Sequence, residues 1–119
     1  MEDFFMGKLF LSVLLSVLIT LVFWSGKKSH GDEYNRGKDL YDGKCRICHG
    51  ANGKGDGPAA PALNPSPANF TDPKFWRNNA VKKIEDTLHN GKGAMPAFRL
   101  NQDEVKAVID YMSHAFKKE

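Results

Sequence analysis

Cys45-Arg46-Ile47-Cys48-His49 holds both cysteines of the 119-residue chain. A disulfide between such near neighbours would close too small a loop to constrain much, so the pair points to chemistry rather than to stapling. A thioredoxin-like redox pair belongs in a βαβ setting, and no alternating strand pattern occurs anywhere in the chain. A zinc site needs four ligands, usually from a second close Cys/His pair, whereas His30, His89 and His114 are scattered.

What remains is C-x-x-C-H as a unit. Two thiols about one helical turn apart can each add to one vinyl group of a porphyrin, and the next residue can bring an imidazole under the iron. That is the signature of covalent haem attachment. In a shuffled chain of this composition it arises roughly once in two thousand. The expected cofactor is a single thioether-linked haem c, held by Cys45 and Cys48 and ligated by His49.

Outward from the motif, Tyr34, Gly37, Tyr41, Cys45 and Cys48 fall three or four apart. The spacing predicts a helix from Asp32 to about Cys48 with these residues on one face. Gly37 is costly inside a helix and implies a packing reason; Gly43 is a second weak point, at which the last turn can fray. Residues 50–73 are dense in Gly, Pro, Ala and Asn and read as a long loop, wrapped around a large prosthetic group. Asp72-Pro73 reads as the start of a short turn through Phe75 and Trp76. Residues 80–90 read as a helix with Val81, Ile84 and Leu88 inward, ended by Gly91. The clearest helix runs from Asn101 to about Phe116. Asn101 is its cap, Glu104 sits at the capping-box position, and Leu100 and Val105 form a hydrophobic staple. Val105, Val108, Ile109, Met112 and Phe116 make its buried stripe.

The chain begins differently. Residues 9–24, LFLSVLLSVLITLVFW, carry no charge. The run is short for a membrane span unless residues 4–8 are added, with Lys8 snorkelling. Glu2 and Asp3 at the start and the lack of a small-x-small exit favour an uncleaved anchor over a signal peptide. Trp24 stands where an interfacial aromatic belongs. The expected organisation is an anchor or signal segment at 1–24, a linker at 25–31 and a haem domain at 32–119. Lys27 and Lys28 against Lys8 favour the opposite orientation weakly.

From Tyr34 to Phe116 the chain resembles a class I c-type cytochrome. The motif lies at the end of the first helix of the domain. Gly37 and Tyr41 precede Cys45 at steps of four and face Val108 and Tyr111 of the last helix, as in that family's crossing of terminal helices. Asn90-Gly91-Lys92-Gly93-Ala94-Met95-Pro96-Ala97-Phe98 resembles the family's distal-ligand loop. The resemblance implies an all-α class I cytochrome c fold of three to four helices around one covalent haem, preceded here by the expected transmembrane helix. It makes Met95 the second axial ligand, and Pro58, Pro61 and Leu63 the lining on the His49 side, with a proline carbonyl taking the imidazole N–H. Trp76 or Arg77 is a candidate partner of a propionate, core packing being the first reading of Trp76. Met112, by its place on the stripe, is core, and His89 sits in the last turn of its helix, where a partly cationic group is favoured. His30 and His114 read as surface residues.

With the iron closed on both sides, the expected function is one-electron transfer rather than enzyme catalysis. The first reading is a carrier shuttling between membrane respiratory complexes or to a soluble acceptor. The second is a permanent haem subunit of an oxidase or dehydrogenase complex, and the third a gas-binding or peroxidase-like haem protein. The expected partners are redox proteins, and the membrane through the N-terminal helix. Haem attachment in bacteria occurs outside the cytoplasm, so the expected location is the inner membrane, single-pass, with the haem domain periplasmic. The alternative is release to the periplasm after signal cleavage. The formal net charge of +3 is scattered along the chain, which argues against nucleic acid as a partner.

Overall fold

A computed structural model describes residues 2–23 and 29–118, with side chains for 6–19 and 29–118. The helices are α1 (Glu2–Phe23), α2 (His30–Lys44), α3 (Arg46–His49), α4 (Ala80–Asn90) and α5 (Gln102–Phe116), with a 3-10 turn at Ala60–Ala62. Among the described residues the only extended pairing is an isolated bridge between Lys92 and Met95. The all-α class holds.

The domain is built on the crossing of α2 and α5. A Cβ at Gly37 would collide with the Ala107 carbonyl and lie 2.8 Å from Tyr111 Cβ. The two backbones therefore touch where only glycine fits. Around this point Tyr34 and Tyr41 meet Tyr111 with ring centroids 5.3 and 5.5 Å apart, and Tyr41 meets Phe116 at 5.0 Å. The expected stripe of α5 is wholly buried, Met112 included. Its start carries the expected capping box, with Asn101 and Glu104 bonded reciprocally at 3.0 Å. Glu104 also receives Arg36 of α2 at 3.2 Å. Leu100 packs on the core beside buried Val105, as a staple requires.

α4 begins and ends where the spacing predicts, and Gly91 follows with φ +72°. Ile84 and Leu88 are buried, but Val81 is 52% exposed. The residue falls on the rim of the apolar face rather than inside it. Periodicity alone predicts a helix continuous to Cys48; the structure breaks it at Cys45, and α3 is a separate single turn. Gly43 lies in open surroundings and does not end α2.

The expected membrane anchor is corrected. Among the described residues no helix is long and apolar enough to cross a membrane. Lys8 stands in the second turn of α1. It leaves residues 9–23, roughly 22 Å of helix, against a hydrocarbon core of about 30 Å. The transmembrane helix, the single-pass inner-membrane placement and the membrane as a partner through this helix fall with it. Trp24 and residues 25–28 of the expected linker lie outside the described residues, while Ser29 caps α2 and His30 and Gly31 belong to that helix.

Candidate functional site

The motif occupies the break between α2 and α3. Cys45 ends one helix and caps the next, with φ −109° and ψ −36°. Its carbonyl accepts from Cys48 N at 3.1 Å and His49 N at 2.9 Å, so the spacing of the motif is the spacing of one helical turn. A helix of one turn leaves every carbonyl without an internal partner. The loop supplies them all: Gly50 N bonds to Arg46 O, Ala59 N to Ile47 O, Gly57 N to Cys48 O and Gly55 N to His49 O, at 2.8 to 3.1 Å. The close return of chain explains a glycine at 57, where a Cβ would run into the Ile47 carbonyl. Tyr41, fully buried, donates its hydroxyl to the Gly50 carbonyl at 2.8 Å and ties the motif to α2. Burial and neighbouring charges push its pKa far up, so it stays a neutral donor.

Both cysteines are free thiols and half-buried. Burial pushes the Cys45 thiol up to about 11, with adjacent Lys44 opposing. His49 is 8% exposed. Its Nδ1 lies 3.1 Å from the Ala68 carbonyl, which can only accept, so Nδ1–H donates and Nε2 keeps its lone pair. Burial lowers the imidazole pKa and the Ala68 carbonyl partly restores it; the ring is held neutral, as a metal ligand must be. Phe70 stacks on the ring, centroids 4.4 Å apart at 20°. Its own N–H is fixed on the Gly53 carbonyl at 2.6 Å.

Met95 lies on a separate loop. Lys92 and Met95 exchange both backbone bonds, at 2.9 and 3.0 Å, across Gly93 and Ala94. Phe98 N bonds to the Leu88 carbonyl at 2.7 Å and fastens this loop to α4. Met95 is half-buried and packed on the core. Two free thiols one turn apart, a neutral imidazole with one nitrogen committed to a carbonyl, and a loop-borne thioether are the donor set that a covalent haem takes. The residues present fit that group.

The expected acceptor on His49 is corrected. The carbonyl on His49 is that of Ala68, one residue after Pro67, and not a proline's. Trp76 donates its Nε1–H to the Phe70 carbonyl at 2.7 Å and packs on the core, so it is not a propionate partner. Arg77 is exposed, Pro58 and Pro61 are exposed, and Leu63 is half-buried. Residues 72–76 form the expected short turn, with the Asp72 carboxylate accepting from Lys74 N and its carbonyl from Phe75 N. His89 is exposed at the end of α4. Two residues were missed, Ala68 and Phe70. Only Phe70 left a trace, since it and Leu63 are the sole large apolar residues of the loop at 50–73.

Fold and site together define a small all-α cytochrome of the c type. The profile of the family described as cytochrome C oxidase, cbb3-type, subunit III, matches residues 32–112. Cytochrome c6 of Gloeothece citriformis is 33% identical over 115 residues, 95% of this chain and 98% of that protein. Cytochrome c6 of Chlorolobion braunii is 37% identical over 78 residues, 64% and 83% of the two chains. Cytochrome c6 of a Synechocystis species is 30% identical over 111 residues, 89% and 87%. The chain belongs to the family that this profile describes, and its similarity to cytochrome c6 makes it a monohaem class I c-type cytochrome. It is a one-electron carrier with one covalently bound haem c, and not an enzyme.

Proposed function

We propose that Cys45 and Cys48 hold the haem, that His49 and Met95 are its axial ligands, and that the domain works as the haem subunit of an oxidase-type respiratory complex. The bound haem supplies the one-electron couple; the chain supplies its position and surroundings. His49 offers Nε2 because Nδ1–H is spent on Ala68, and Phe70 and burial keep the ring in place and neutral. Met95 is offered from a turn closed on itself and fastened to α4. A neutral thioether on one side favours the reduced iron and raises the potential.

The single observation that carries the ligand assignment is the His49 imidazole, buried at the end of α3 with one nitrogen committed. The match of residues 32–112 to a profile described as an oxidase subunit supports permanent association. It moves that reading ahead of the free shuttle, which the sequence alone puts first. The freely exchanging carrier keeps support from the cytochrome c6 similarity, which spans nearly the whole of both chains. In either case the domain works outside the cytoplasm, and residues 1–24 serve its export. The uncharged stretch slightly exceeds the usual core of such a segment, about 7–15 residues.

One preparation tests these points. Protein purified from gently solubilised membranes is expected to elute with a large complex carrying stoichiometric haem c. Elution at the size of the single haem domain would instead establish the free carrier. The intact mass is expected to show one haem and the loss of the N-terminal segment. A haem-free mass in cells competent for attachment would overturn the assignment of Cys45 and Cys48.

A further inference from the structure

A second group of ligating side chains stands apart from the haem residues. His30 begins α2, and Asp110 and His114 lie one turn apart on α5. One nitrogen from each imidazole and one carboxylate oxygen lie within 4.8 Å of one another. The two imidazoles meet edge to face, centroids 5.4 Å apart. His114 Nδ1 is 2.9 Å from the Asp110 backbone carbonyl and 3.4 Å from Asp110 Oδ1. The other carboxylate oxygen, Asp110 Oδ2, is buried and has no hydrogen-bond partner.

We propose that His30, Asp110 and His114 form a site for a divalent transition-metal ion of the zinc type, joining the start of α2 to the last turns of α5. Two imidazoles and a carboxylate are the donors such an ion takes. Three protein ligands leave the fourth tetrahedral position to water. Bonds of about 2.0–2.2 Å set donor atoms roughly 3.4 Å apart. The present spacing must close by about an ångström; both histidines are exposed, and His114 would turn between rotamers at the expense of its contact with the Asp110 carbonyl.

A plain ion pair between His114 and Asp110 on one helix is the competing account. It uses Oδ1 alone, gives His30 no part, and leaves Oδ2 buried without a partner, which is costly for a charged group. A cation held by the Asp110 carboxylate gives His30 a part and explains why imidazoles from two helices meet beside it.

The test uses the holoprotein and Zn²⁺ as the probe. Isothermal titration is expected to show one equivalent bound, with the melting temperature rising as Zn²⁺ is added. His30→Asn and His114→Asn are each expected to weaken binding at least tenfold. His89→Asn, an exposed histidine on α4, is expected to leave it unchanged. His30 is the first residue of its helix, so that variant folds; unchanged haem absorption and helical dichroism check it. Absence of stoichiometric binding, or binding by His30→Asn equal to that of the parent, overturns the site.

Discussion

His49 divides its work between two nitrogens. Nδ1–H is held by Ala68, so the ring cannot turn freely and Nε2 is the atom left to coordinate. Its expected opposite number, Met95, is placed by the backbone bonds of its turn, and its half-buried side chain packs on the core only in part. Met95→Ala is therefore expected to keep the protein folded and the haem attached, while the weak long-wavelength band of sulfur on ferric iron disappears and the reduction potential falls. Survival of the band would assign the position to another residue. At this scale the covalent end of the site was legible, because vinyl chemistry demands thiols at a fixed short spacing. The acceptor on His49 was not. A backbone carbonyl has no side-chain signature, and Ala68 reaches the ring only through the path of a loop without periodicity. Trp76 is the core residue of its first reading, with its N–H spent on the Phe70 carbonyl.

The elements meet through contacts that can be tested singly. Gly37→Ala puts a methyl group into the Ala107 carbonyl. Overpacking of this kind costs about 1–3 kcal/mol, and each kcal/mol lowers the melting temperature of a domain this size by about 4–8 °C. A thermal melt checks it, and an unchanged midpoint would mean that α2 and α5 do not touch there. Glu104 sits at the same crossing. The Asn101 N–H first, and Arg36 second, hold its carboxyl below the ordinary 4.5. Its contribution to stability is present above that ordinary value and is lost as pH falls through the lower folded one. Glu104→Gln is expected to flatten that part of the acid-stability curve, measured by denaturant titration at a series of pH values. α4 and α5 were legible to within a residue, α5 because cap and apolar periodicity agree and α4 because Gly91 ends it and Ile84 and Leu88 mark its inner face. The separation of α3 from α2 was not, since the periodic face runs on through Cys45 and the break is set by loop bonds to α3.

At the scale of the molecule, composition and motif were enough to define an all-α haem domain of small size. The same reading failed at the N-terminus. There it lengthened an apolar run past Lys8 to meet the thickness of a bilayer, and no described helix meets it. The domain's stability rests on a core of α2, α4, α5 and Phe70. A haem at the motif adds the apolar volume that so short a domain lacks.

The clasp between Arg36 and Glu104 joins residues 68 positions apart. Contacts of such separation form late, after the intervening loops have been closed. Arg36 and Glu104 therefore act on the closing of the whole domain rather than on the local turn that sets the spacing of Cys45 and Cys48.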